Sequence, residues 1–236
     1  MKIPLSARLR ACCDYIPQGA RIADIGTDHG YLGIWLLQQG IARSVIASDI
    51  VPGPLSSAQR NAEKFGYAHR MEFYLSDGAC SIPRDFDILV CAGMGGDTMV
   101  SILSAAPWLK NPQYTLILQC QTKTPILRRY LSESGWKIHR ETVIRDGKFL
   151  YTVMQVLWQP GISLTCGQWY FPPAMQAQPS ADAAAYYRWI KNGLVKIVSS
   201  RGDNADPTLI KALEELEALE LDPALGWLKE EHYDNS

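Results

Sequence analysis

Asp24-Ile-Gly-Thr-Asp-His-Gly-Tyr31 is the stretch on which the fold turns. It follows a short apolar run, Arg21–Ile25, and opens onto the apolar, helix-like segment Tyr31–Gln39. A strand that ends in a glycine turn and passes into a helix is the first step of a β-α-β unit. Gly26 permits the tight turn and Gly30 opens the next helix. The middle glycine of a dinucleotide fingerprint is replaced by Asp28. A pyrophosphate needs close backbone approach and would be repelled by a carboxylate there, so the turn suits a ligand that carries positive charge.

Working outward, short apolar runs recur at Ser44–Ser48, Met71–Leu75, Asp87–Ala92 and Tyr114–Leu118. Leu5–Ile16, Leu55–Phe65, Thr98–Ala106 and Pro125–Ser134 have helical spacing. This alternation predicts a parallel sheet with right-handed crossovers. Past Gly135 the rhythm changes: Trp136–Ile144 and Phe149–Trp158 flank the polar turn Arg145-Asp-Gly-Lys148, which predicts a terminal hairpin in which Trp136 and Trp158 pack. The expected fold is α/β, a seven-stranded, mostly parallel, Rossmann-like sheet with one reversed strand near its edge. Residues 159–181, rich in Pro, Gly and Gln, read as a linker or lid. Two apolar stripes, Tyr187/Ile190/Leu194/Ile197 and Leu209/Leu213/Leu216/Leu219, then predict an antiparallel helical pair. The chain thus divides into a sheet domain, 1–160, and a linker with a C-terminal helical domain, 161–236. Leu221–Ser236 ends in charged and polar residues and reads as poorly ordered.

Composition sets the class only broadly. With 47% apolar and 20% charged residues the chain is an ordinary globular protein. The start lacks the basic-then-apolar run of a leader, and no apolar stretch reaches the roughly 20 residues of a membrane helix, so a cytoplasmic protein with no membrane partner is expected. The six cysteines show no paired C-x-x-C spacing, which points to packed thiols and no metal. Residues 1–160 carry 17 Lys and Arg against 13 Asp and Glu, a mildly basic balance that permits a nucleic-acid partner without demanding one.

Ligands of open α/β sheets bind at the carboxyl ends of the strands, so the residues at those ends carry the most information about a ligand. The second ends in Asp49, at the spacing of a ribose-binding acid. The third ends in Asp77-Gly78, where a carboxylate could accept from an adenine amino group. Each Asp alone is an ordinary helix cap or turn residue. Three in series favour an adenosine-bearing ligand, and the acidic first turn favours S-adenosylmethionine, with its sulfonium and ammonium, over a nicotinamide dinucleotide. The fourth edge, Cys91-Ala-Gly-Met-Gly-Gly96, is a flexible bend with room for a flat base beside the soft side chain of Met94.

Leu5-Ser-Ala-Arg-Leu9, Asp24–Leu32, Ala92-Gly-Met-Gly-Gly96 and Leu116-Ile-Leu-Gln119 together resemble the bacterial TrmK family, over residues 5–158 closely and more loosely through the helical pair. That resemblance implies a class I S-adenosylmethionine-dependent methyltransferase fold and tRNA adenine-22 N1-methylation. It also implies a C-terminal coiled-coil-like domain that contributes to tRNA binding. It places Asp28 as the catalytic candidate, with Asp24, Gly26, Thr27, His29, Gly30, Asp49, Ile50, Asp77, Gly78, Gly93 and Met94 around the methyl donor. Cys120-Gln121 stand where the family has Pro-Asn, and His29-Gly30 replace a common His-Ala. For the tRNA surface the candidates are Arg8 and Arg10 in the first helix, Lys123, Arg128 and Arg129 after the fifth strand, and Arg188, Lys191 and Lys196 near the C-terminus. Isolated cations are more often merely solvated.

Adenine N1 already owns a lone pair, so positioning is most of the expected catalysis, with Asp28 stabilising the developing charge or taking the amino proton. N1 lies on the pairing edge, so the base must be unpaired or extruded. Other classes also fit the fold: a nicotinamide-dependent oxidoreductase, which Asp28 counts against; a small-molecule methyltransferase; and a non-catalytic binding protein.

Overall fold

Alternate side chains along each strand point to opposite faces, and here both faces are covered. The computed structural model describes residues 3–229. In chain order the sheet domain contains α1 (Ala7–Cys13), β1 (Ala20–Ile25), α2 (Tyr31–Gln38), β2 (Ala42–Asp49), α3 (Pro52–Phe65), β3 (Met71–Leu75), β4 (Ile88–Gly95), α4 (Gly96–Ala105), β5 (Thr115–Thr122), α5 (Thr124–Glu133), β6 (Trp136–Asp146) and β7 (Phe149–Trp158). The strands lie in the order β3-β2-β1-β4-β5-β7-β6. All neighbours from β3 to β5 are parallel, and β7 is antiparallel to both β5 and β6. This is the expected seven-stranded, mostly parallel sheet with one reversed strand.

Ile22, Ile88, Val90 and Ile117 face one side, where they meet Cys12, Leu32 and Leu36. Their strand neighbours Ala23, Leu89, Cys91 and Leu118 face the other, where they meet Met99, Leu103, Leu127 and Leu131. Burying a side chain of this size contributes about 1.5–3 kcal/mol, so the two layers together fix the register of the sheet. The chain leaves β1 for β2 on one side and returns to β4 on the other. A crevice therefore opens at the carboxyl ends of β1 and β4. Trp136 and Trp158 meet edge to face in the hairpin, centroids 5.4 Å apart.

The C-terminal part differs from its expectation in three places. Residues 159–181 do not form an open linker, since they hold two short helices, α6 (Cys166–Tyr170) and α7 (Pro173–Gln176). The Thr165 hydroxyl accepts from the Gln168 backbone in a capping box, and Phe171 and Met175 are wholly buried. Local capping and two apolar anchors outweigh the turn-rich composition. Then come α8 (Ala181–Arg201), α9 (Pro207–Leu219) and a 3₁₀ segment, Pro223–Lys229. Leu225 and Leu228 of that last segment are buried with Tyr187, Leu194, Ala212 and Leu216 in a separate core. The stretch expected to be poorly ordered is thus anchored at Leu225 and Leu228, while most of its other residues up to 229 are exposed, and the remainder lies outside the described residues. Ile197, expected on the buried stripe of α8, is exposed.

A buried ion pair ties this part to the sheet. Arg128 on α5 donates to both carboxylate oxygens of Glu141 on β6, at 2.7 to 3.2 Å, and to the Trp169 and Tyr170 carbonyls at 2.9 and 2.7 Å. Arg128 is wholly buried, so its expected place on an RNA surface is corrected: it fastens α5, β6 and α6. Burial pulls its pKa down, but the Glu141 charge and hydrogen bonds more than reverse this and keep it charged. Among the described residues no helix is long and apolar enough to cross a membrane.

Candidate functional site

Each strand in the crevice ends in a turn that hands polar groups to one cavity of about 700 Å³. At the end of β1 the backbone N–H groups of Gly26 and Thr27 both donate to the Ser48 carbonyl at 2.9 Å, folding the turn over β2. Gly26 has φ 71°. A Cβ there would lie 2.1 Å from the Met94 side-chain methyl, so Met94 rests directly on the turn. Asp28 also adopts the left-handed region, φ 52°. It takes the backbone conformation that a glycine of the fingerprint would take, one that Asp tolerates better than most residues.

Asp49 holds that conformation in place. One carboxylate oxygen accepts from the Asp28 backbone N–H at 3.1 Å, and the other accepts from Val51 at 3.0 Å. The Asp28 side chain is left exposed, 3.7 Å from the His29 ring nitrogen. Asp24 lies below on the cavity floor, buried, and accepts from the Thr27 hydroxyl at 2.7 Å. Burial raises its pKa to about 6, the nearby Asp49 adds to the rise, and the Thr27 hydrogen bond opposes it. A cation in the cavity would relieve that cost.

The third and fourth strand ends complete the wall. Ser76 donates its hydroxyl to the Gly78 carbonyl at 2.9 Å, and Gly78, φ 54°, packs so tightly on Ile102 that a Cβ would come within 2.9 Å. Exposed Ile50 and half-buried Met94 are among the apolar parts of the lining, and Asp77 stands exposed beside Gly78. The Ala92–Gly95 segment is not a free bend. It continues β4 as a bulged strand against Gln119, Cys120 and Thr122, and the wholly buried Gln119 side chain accepts from the Gly93 N–H at 3.0 Å. Cys91 beneath is no nucleophile, since burial pushes its thiol up to about 12.

All the expected donor-side residues but Gly30, the left-handed cap of α2, line this cavity. Arg8 and Gln121 are among the other residues that line it. Arg8, expected on the RNA surface, lines the cavity instead; its guanidinium lies over the Tyr151 ring at 5.8 Å and its Nε is buried without a hydrogen-bond partner among the described residues. Gln121, not singled out from sequence, is exposed at the mouth. Its signal was the departure from Pro-Asn, which marked the position without giving its direction. The other basic candidates are scattered. Arg10 lies over Trp35, Arg129 pairs with Glu133, Lys123 pairs with Asp97, Lys191 pairs with Glu220, and Arg188 donates to the Leu228 carbonyl. Lys196 stands exposed on α8. Among the described residues no cluster of His, Cys, Asp or Glu could hold a metal.

A family model described as a methyltransferase domain matches residues 5–154. The tRNA (adenine(22)-N(1))-methyltransferase of Bacillus subtilis (strain 168) is 32% identical over 154 residues, 65% of each chain, so the match spans just under two thirds of that relative's length. Among solved structures, B. subtilis TrmK is 27% identical with a TM-score of 0.78, over 97% of this chain and 100% of that one. Streptococcus pneumoniae Sp1610 in complex with S-adenosyl-L-methionine is 25% identical with a TM-score of 0.79, over 91% and 99%.

Proposed function

The chain belongs to the methyltransferase-domain family, and on that premise we propose that it transfers a methyl group from S-adenosylmethionine to N1 of an adenine in tRNA, position 22 by likeness to the B. subtilis enzyme. The observation that carries the reading is the cavity's polarity: a buried carboxyl, Asp24, lies on its floor, and an unpaired guanidinium nitrogen, Arg8, lines the same space. An amino acid with a cationic and an anionic end matches that pair. A pyrophosphate would meet Asp24, Asp28 and Asp49 together.

When bound, S-adenosylmethionine supplies an electrophilic methyl carbon on a sulfonium sulfur. Asp24, kept in place by Thr27, is assigned to the ammonium and Arg8 to the carboxylate. Asp49 has lone pairs to spare for ribose hydroxyls after fixing Asp28 and Val51. Asp77 and the Gly78 backbone are assigned to the adenine amino edge, and Ile50 to an adenine face. Gly93 and Met94 separate donor and target. On the target side Asp28 is the catalytic candidate and Gln121 a second polar contact. A neutral adenine needs no base to attack, so these residues orient the ring and balance the positive charge that it acquires.

The sheet domain, 1–160, would carry the chemistry, and the C-terminal helices would help to hold the RNA in the cytoplasm, where unmodified tRNA is met. The test is incubation with methyl-labelled donor and either folded tRNA or free AMP. Label is expected in tRNA alone; label in AMP with none in tRNA would favour a small-molecule enzyme.

A further inference from the structure

A second, smaller groove neighbours the main cavity and shares Gln121 with it. Its walls come from three remote stretches: the end of β5 and the turn after it, β7, and α8. We infer that this groove is a subsite for a base of the RNA substrate next to the methylated adenine, stacked on Trp189. The inference rests on the tRNA reading above and assigns a part of the surface that reading leaves open.

Two independent features point to a ligand. Thr152 lies inside the sheet between Cys120 of β5 and Val143 of β6, only 1% exposed; it is one of the residues that line the groove, and its buried hydroxyl has no hydrogen-bond partner among the described residues. Buried hydroxyls are normally paired, so an orphan on a groove-lining residue marks a place where a polar edge is received. Trp189 at the rim is 65% exposed, although its ring lies only 5.8 Å from Tyr186. A large indole left in water beside another aromatic ring offers a free face for stacking.

The groove's charge says which part of a nucleotide it takes. Lys123 is the cation that lines it, and Lys123 is already paired with Asp97. A phosphate would find little net positive charge there, whereas a base needs only a flat apolar face and a hydrogen-bonding edge. Extruding the target adenine strips its neighbour of a stacking partner. Trp189, reached across Gln121, replaces it.

The experiment uses the full chain with Trp189→Ala, Trp189→Phe and Thr152→Val, measuring methyl-donor affinity, KM for tRNA, kcat and Tm. Trp189→Ala is expected to raise KM for tRNA about tenfold, Trp189→Phe to recover most of this, and donor affinity to stay unchanged in all three. Thr152→Val is expected to raise KM for tRNA about threefold while Tm holds or rises, because a buried unpaired hydroxyl is removed. A merely structural threonine would leave KM alone. Ultraviolet crosslinking should join Trp189 or Tyr151 to the nucleotide flanking the methylated one. Unchanged KM in Trp189→Ala and Thr152→Val, or crosslinks confined to other surfaces, would overturn the assignment, including in favour of a protein partner for Trp189. If the wild-type chain methylates no tRNA, the tRNA reading itself fails and this inference with it; if only the variants behave as wild type, this inference alone fails.

Discussion

The two sides of the sheet's carboxyl edge are built in different ways. On the β1–β3 side, the polar groups of the cavity lie within a few residues of a strand end: Asp24 to Asp28 at the end of β1, Asp49 at the end of β2, Ser76 to Gly78 after β3. On the β5–β7 side, the groove needs residues from Cys120 to Ile190, brought together by a separate core and by the Arg128–Glu141 pair. The side assigned to the donor is therefore mainly a local construction, to which α1 adds Arg8 from a distance, and the side assigned to the target is a tertiary one. Damage to packing should reach the RNA before it reaches the methyl donor.

The strongest way to break this contrast is to remove Arg128. Arg128→Ala leaves Glu141 as an unpaired buried charge, and chemical denaturation should show a loss of about 3–5 kcal/mol. The double variant Arg128→Met, Glu141→Leu should recover most of it. At concentrations where the single variant is still folded, tRNA affinity should fall more than donor affinity. Equal losses on both sides would mean that the sheet edge behaves as one unit.

Asp28→Asn probes the border between the sides. Asn also tolerates a positive φ, so the turn should persist. Turnover is expected to fall about 10²–10³-fold with the donor dissociation constant unchanged. Full turnover would remove Asp28 from the mechanism, and a weakened donor would place it on the other side.

Asp24 gives a pH signature confined to the donor side. Its folded-state pKa, about 6, lies above the ordinary 3.8, so the folded chain holds the proton more tightly than the unfolded one. Stability from this group is therefore greatest in acid and declines as pH rises from about 4 to 6, by roughly 3 kcal/mol at most. A cationic ligand favours the ionised form, so donor affinity should run the other way, about tenfold weaker at pH 5 than at pH 7. Calorimetric titration at both pH values checks this, with Asp24→Asn expected to flatten the profile. The smallest effect is reserved for Lys196→Ala, expected to raise KM for tRNA about twofold and to reduce the salt slope by about one.

The same contrast explains what was legible in the sequence. The strands, the terminal hairpin and the donor turn follow from short continuous apolar runs and from the glycines at their ends, all local signals. Arg128 was misplaced because an arginine in a helix after the fifth strand looks the same whether it meets water or Glu141, and that partner lies on another strand. Arg8 was put on the RNA surface because nothing local shows that α1 leans over the cavity. Residues 159–181 read as a linker because Phe171 and Met175, their anchors, stand among prolines, glycines and glutamines with no sustained helical or strand period.

Mapping the methylated position in a tRNA transcript after single-turnover reaction tests the central claim most directly. The account expects one N1-methyladenine, at position 22 as in the B. subtilis relative, visible as a block to primer extension at that nucleotide and absent when it is changed to guanine. Methyl incorporation at another atom or position, or none into tRNA with donor bound, would contradict it.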